Sequence, residues 1–276
     1  MRKTGIVAIG LVLPVLLAGS AMAAGFEMLA PHRAVYDMKL REATDRSGIQ
    51  AMSGRIVYEV TGNECDGLTV RYRFVTSIAT SAEPWQTDQQ TSTFESPDGR
   101  TFNFHTRSMV GDQVESVVRG SASRGGDGVT VELSQPASRR LELPPASFIS
   151  THLVEVLRAA ESGETLVKSD IFDGSDKADE IVASSTFIGA AKLAPKPFDG
   201  ESAASIGPLE NLKAWPVTVS YFEKTSQASA ETTPMYQASF LLYPNGISRR
   251  LIMRYPDYSL TGNLASLEML PKEPCK

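Results

Sequence analysis

The sequence predicts a mainly β fold, a single antiparallel sheet with one packed α-helix. Three observations carry that expectation. Most of the chain alternates apolar and polar residues with period two, short turn signals separate the alternating runs, and only one stretch has helical spacing.

The strands come first. In VRYRFVTSI, Val70, Tyr72, Phe74 and Ile78 fall on one face and Arg71, Arg73 and Ser77 on the other. In WPVTVSYFEK, Val217, Val219 and Tyr221 alternate with Thr218 and Ser220. Such patterns mark strands with one buried face. Between runs lie TGNECDG around Cys65, SPDG at 96–99, GGDG at 125–128 and PNG at 244–246. The last joins YQASFLLY to ISRRLIMRY as a hairpin, and Cys65 sits at the tip of the first.

The helix comes next. PPASFISTHLVEVLRAAESGE places Ile149, Leu153, Val156, Leu157 and Ala160 at helical spacing, with Pro145 at its start and Gly163 at its end. This predicts a helix over 146–161 whose apolar stripe packs on the sheet or plugs it. From Ala190 to Trp215 the chain holds three prolines and little periodicity, so a long surface loop is expected within one domain.

The N-terminus has a different character. Arg2 and Lys3 precede an apolar run from Gly5 to Leu17, and Ala21 and Ala23 occupy the small-residue positions of an A-x-A cleavage site. That order is the secretory signal, and its apolar core is short for a membrane span. The expected organisation is a signal peptide over 1–23, itself helical, and one domain over 24–276, exported and soluble with no transmembrane span after cleavage. Loss of Arg2 and Lys3 leaves 25 basic residues against 32 acidic, a net charge of −7. That balance argues against nucleic acid and against a polybasic membrane surface.

Export also gives meaning to the cysteines. Cys65 and Cys275 are the two cysteines of the chain. In an oxidising compartment, pairing them leaves no thiol over; two free thiols or an intermolecular bridge are the alternatives. The loop closed would be about 210 residues, which chain entropy values at roughly 5 kcal/mol as an upper figure.

Signatures of chemistry are missing. No G-x-S-x-G elbow, S-x-x-K set, HExxH pair or P-loop occurs. His152 and Glu155 share a flank of the expected helix, but one such pair is weak as a metal site, and a partly exposed histidine is the simpler reading. His105 belongs to a strand, on either its polar or its core face. FDGSDKADE at 172–180 lacks the ligand spacing of a calcium loop and reads as a solvated turn. The expectation is therefore no catalytic residue, no metal and no cofactor. What stands out instead is aromatic surface: Trp85, Phe94, Phe102, Phe104, Trp215, Tyr221, Phe222, Phe240 and Tyr243 lie in expected strands or at their ends. Most belong to a core; on a curved sheet Phe94, Phe102, Phe104, Trp215, Tyr221 and Phe240 form a candidate apolar face able to take an acyl chain or an apolar peptide.

The stretches WQTDQQTSTFES (85–96), FDGSDKADEIVASSTFIG (172–189) and SFLLYPNGISRRLIMRYPDYSLTGNL (239–264), with Cys65 and the near-terminal Cys275, resemble the cell-envelope-integrity EipB family of Gram-negative bacteria. The likeness runs over essentially the whole chain after residue 23. It implies a periplasmic β-spiral with a helix packed against it, closed by a disulfide that carries over to Cys65 and Cys275. The fold it implies is loosely similar to the half-open barrels of periplasmic lipoprotein carriers. No catalytic residues, ligand or cofactor carry over. The resulting expectation is a non-enzymatic periplasmic protein that supports envelope integrity through periplasmic or envelope protein partners. The alternative is a carrier or binding module for a lipid or a lipidated protein.

Overall fold

The computed structural model describes residues 24–174, 178–224 and 233–275. The expected signal peptide lies outside the described residues. Eight strands come first and form an antiparallel meander: β1 (His32–Ala43), β2 (Ile49–Asn63), β3 (Gly67–Thr80), β4 (Trp85–Glu95), β5 (Thr101–Val110), β6 (Gln113–Arg124), β7 (Val129–Gln135) and β8 (Arg139–Leu143). Each of the four turn signals read from the sequence falls between strands. The chain then makes the short β9 (Ser147–Phe148) and the helix α1 (Ile149–Ser162), followed by β10 (Leu166–Phe172), β11 (Val182–Ile188) and β12 (Lys192–Leu193). A one-turn helix α2 (Ala203–Ile206) precedes β13 (Lys213–Glu223), β14 (Tyr236–Leu242), β15 (Ser248–Arg254) and β16 (Tyr258–Met269).

The strand order explains the shape. Across the sheet it runs β8-β7-β6-β5-β4-β3-β2-β1-β16-β15-β14-β13-β11-β10-β9, with β12 added beside β13. The first and last strands of the chain are thus neighbours near the middle, and β8 and β9 are the two edges. Yet only Pro144–Ala146 separate β8 from β9 along the chain. Four residue steps span at most about 14 Å, so the sheet has to roll until its edges nearly meet. The edges do not pair, and the roll stays open. β9 joins β10 in parallel and brings Phe148 and Phe172 inside the β5–β7 arm, against Phe102, Phe104, Val118 and Val131. The result is an open β-spiral with a helix packed in it, as expected.

Three local readings need correction. The helix starts at Ile149 rather than 146, because Ser147 and Phe148 are extended and pair with Ile171 and Phe172. The 190–215 segment is not a plain surface loop. Ile206 and Leu209 are buried, and Arg249 holds the segment from below. The Arg249 guanidinium, fully buried with Glu201 at 2.6 Å, donates to the carbonyls of Ala194 and Lys196 and stacks on Phe198 at 4.6 Å. A buried cation with every donor direction used acts as a nail through an otherwise irregular segment. The 172–180 stretch is not a wholly solvated turn either: Phe172, Gly174 and Ala178 are buried, while 175–177 lie outside the described residues. Gly174 has φ 66° and lies so close to Phe104 that a Cβ would sit 2.6 Å from its ring.

The tail is tied to the first hairpin. Cys65 and Cys275 form a disulfide with Cα atoms 5.5 Å apart, inside the ordinary range. Asn63 organises the turn beneath it, accepting the backbone N–H groups of Cys65 and Asp66 at 2.8 and 2.7 Å. Lys272 reaches Glu64 at 2.6 Å.

Candidate functional site: a cavity beneath the helix

The placement of α1 decides what the roll encloses. Its N-cap, Phe148, offers no side-chain acceptor, which leaves the first-turn N–H groups without a local partner. Glu95 of β4 supplies one from across the fold. Its carboxylate accepts the Ser150 N–H at 2.9 Å, the Thr151 N–H at 3.1 Å and the Thr151 hydroxyl. Only 1% of Glu95 is exposed, and burial pushes its carboxyl pKa up against those hydrogen bonds. The negative end therefore sits at the positive end of the helix, fixing α1 to the sheet. At the other end Gly163 adopts φ 82° and closes the helix. Residues 24–29 pack on the outer side of α1, where Phe26 and Leu29 are buried.

With α1 so held, a cavity of about 340 Å³ is left between its inner side and the sheet. Ile149, His152, Leu153 and Val156 form the helix wall. Strands from both sides of the β1–β16 junction form the rest, including His32 and Tyr36 on β1, Tyr58 on β2, Tyr72 on β3, Tyr221 on β13 and Tyr236 and Phe240 on β14. The helix stripe thus narrows the concavity without filling it. Among the described residues no Asp, Glu, Lys or Arg lines this space.

Its polar atoms are few and defined. The Tyr36 hydroxyl donates to the Ser248 carbonyl at 2.7 Å. His32 is 2% exposed, and its Nδ1 lies 2.7 Å from the Ala30 carbonyl, which can only accept. Nδ1 therefore carries the proton, and Nε2 of the neutral ring presents a lone pair. His152 is 7% exposed, and burial lowers its pKa to about 4. Burial lowers that of His32 as well, opposed by the bond to Ala30. Nε2 of each histidine is buried without a partner among the described residues. Burial raises the phenol pKa values of Tyr36, Tyr58, Tyr72, Tyr221 and Tyr236, so the lining is neutral around pH 7. Tyr221 stacks face to face on its cross-strand partner Tyr236 at 4.5 Å. The row continues to Tyr255 at 5.6 Å and Tyr258 at a further 4.7 Å.

Neither cavity histidine hydrogen-bonds a serine, threonine, cysteine or carboxylate among the described residues, so no nucleophile–base pair is formed. A second, shallower depression of about 740 Å³ lies where Glu155 faces, among Arg100, Arg124, Lys168 and Asp170. Its carboxylates are engaged: Glu155 accepts from Ser147 at 2.7 Å, and Asp170 pairs with Lys224.

The structure divides the six aromatics of the candidate apolar face. Tyr221 and Phe240 line the cavity. Trp215 packs, half-buried, against the core around Val156 and Leu157. Phe102 and Phe104 belong to a separate solid core with Phe148 and Phe172, away from the cavity. Phe94 shares neither: its neighbours in β4, Thr93 and Glu95, are the inward-facing residues, and its ring lies over Gly67. His152 is not partly exposed as expected but buried, and it parts company with Glu155, which faces the other depression. His105 takes the polar face, beside Arg71 and Gln90. Sequence reasoning missed His32, Tyr36, Tyr58 and Tyr236. A signal for His32 was present, since it alternates with Ala34, Tyr36 and Met38, all buried on the same face of β1.

Among the described residues no helix is long and apolar enough to cross a membrane. Comparison with known proteins gives a consistent picture. A solved structure titled as a beta-barrel-like protein of domain of unknown function DUF1849, from Brucella abortus, superposes with a TM-score of 0.83 at 36% identity, covering 88% of this chain and 99% of that one. The cell envelope integrity protein EipB of Brucella abortus (strain 2308) is 38% identical over 253 residues, 91% of this chain and 88% of the relative. The EipB-like family model matches residues 23–271. On that match the chain belongs to the EipB-like family.

Proposed function

We propose that this protein works in the periplasm, without catalysing a reaction, to keep the cell envelope intact. Its likeness to a protein named for cell envelope integrity, over nine-tenths of the chain, carries the reading. The N-terminal signal pattern supports the compartment, and the absence of a nucleophile or carboxylate partner at either cavity histidine, among the described residues, supports binding over turnover. Protein partners on the outer surface are one mode of action, with Trp85, Phe187 and Leu193 as exposed apolar footholds. The cavity beneath α1 favours a second mode, in which the protein holds an apolar ligand or the lipid of a lipidated partner.

Deletion and rescue test the reading. The deletion strain is expected to become sensitive to a membrane-perturbing detergent, and the full chain to restore tolerance. Unchanged sensitivity on deletion would overturn the envelope role. Full rescue by a chain lacking residues 1–23 and retained in the cytoplasm would overturn the compartment.

A further inference from the structure

We infer that the cavity beneath α1 is a binding site for a compact, uncharged amphiphile, an alkyl chain of about ten carbons ending in a hydroxyl that donates to Nε2 of His32. The inference rests on the reading of the protein as a binder, and is independent of where in the cell it binds. Size comes first. At about 30 Å³ for each water-sized group, 340 Å³ accommodates about eleven non-hydrogen atoms, at the small end of ligand cavities. The walls ask for apolar matter: Leu153, Val156, Val219, Phe240 and Leu251 contribute carbon surface.

The head group follows from the histidines. Nδ1 of His32 is committed to the Ala30 carbonyl, so Nε2 can act only as an acceptor in the neutral ring. A buried acceptor left without a partner is costly, and a ligand that donates to it recovers that cost. His152 adds a second unpartnered Nε2 on the helix side; both Nε2 atoms are sealed just beneath the cavity surface, so the wall has to yield slightly for a ligand to reach them. A hydroxyl both donates and accepts, so it can serve either histidine. A carboxylate cannot donate to His32, and among the described residues no Lys or Arg lines the cavity to offset its charge. The site therefore discriminates against ionised fatty acids, although their chains would fit.

The test sets 1-decanol against decanoate at pH 8, where the acid is ionised, using calorimetry and ¹⁵N spectra of the histidine rings in the purified protein. One equivalent of 1-decanol is expected to bind and to move the Nε2 resonance of His32, with decanoate at least tenfold weaker. His32→Phe, which keeps a ring and deletes the acceptor, is expected to weaken 1-decanol at least tenfold. Ala238→Leu, which fills the space from the sheet side, should abolish binding while the melting temperature holds. Decanoate binding as tightly as the alcohol would overturn the neutral site. Binding that leaves the His32 resonance in place would overturn the assigned acceptor, even if His32→Phe fails to fold. Absence of any binding would mean that the cavity holds only water and overturn the inference. The envelope role would then still be decided by detergent rescue.

Discussion

Two regions of the same interior, one at the start of α1 and one beneath it, are built from aromatic residues and differ in what they enclose. Around the start of the helix, Phe102, Phe104, Phe148 and Phe172 interlock, with centroid separations from 5.0 to 6.3 Å. Beyond it, tyrosines and two histidines line a space of about 340 Å³. Both regions use inward faces of one continuous sheet, so curvature alone does not separate them. Ring chemistry does. A phenylalanine can turn either edge or face to a neighbour and settle wherever packing is densest. A buried tyrosine must bring its hydroxyl to a partner, as Tyr36 does at Ser248, and that requirement fixes the ring even where space is left beside it. The phenylalanine region holds the roll in shape, and the tyrosine region leaves a space open.

Truncation is the strongest way to break this comparison. Phe148→Ala removes a fully buried ring and is expected to cost about 3–5 kcal/mol in urea unfolding. Phe240→Ala, at the cavity wall, should cost less than about 2 kcal/mol, since part of its surface already lacks contacts. Equal costs would show the cavity to be as tightly packed as the core.

The clasp lies outside both regions and should affect them alike. Replacing Cys65 and Cys275 together by Ser is expected to cost about 2–4 kcal/mol, with either single replacement costing about the same, because the bond constrains the unfolded chain. Thermal melts under oxidising conditions check this. A single variant indistinguishable from wild type would contradict it.

Glu95 supports the helix that roofs the cavity. Glu95→Gln keeps the shape but loses one acceptor at the helix start, and about 1–3 kcal/mol of stability with it. Hydrogen exchange should quicken first at Ser150 and Thr151, whose N–H groups Glu95 accepts.

His152 gives the smallest and most diagnostic effect. Its folded pKa of about 4 is below the 6.5 of an exposed imidazole, because burial disfavours the charged ring. The stability it contributes is complete above pH 6.5 and is lost as pH falls toward 4, since the unfolded chain takes up the proton first. At pH 5 the loss amounts to as much as about 2 kcal/mol. His152→Gln should flatten the melting temperature between pH 7 and 5 by that contribution; an unchanged slope would show the ring to be solvated.

The strands, turns and helix were legible because each rests on a local period. Val217, Val219 and Tyr221 alternate, Leu153, Val156 and Leu157 recur at helical spacing, and Gly163 ends the helix where the pattern stops. Alternation tells which side of a strand faces inward. It does not tell which part of the interior that side meets, which is why Phe102 and Tyr221 looked alike and lie apart. Glu95 and Thr151 are 56 residues apart, and Arg249 and Glu201 are 48 apart. No short window links such pairs, so the helix cap and the anchor of the 190–215 segment were invisible before the fold brought them together.

The pairing of β1 with β16 sets a condition on how the molecule comes into being. Partners in that ladder, from His32↔Met269 to Ala43↔Tyr258, are separated by roughly 200 residues or more. Contacts so distant in sequence close late and make folding slow. A chain emerging N-terminus first can zip β1 to β8 into a meander by short turns, but the free edge of β1 stays unpaired until nearly all of the chain has emerged. That open edge is the intermediate's point of vulnerability, where another strand can add. Cys275 follows β16, so its bond to Cys65 cannot form before the last strand is available. In cells, the fraction of chains with that bond closed measures how many have completed the roll.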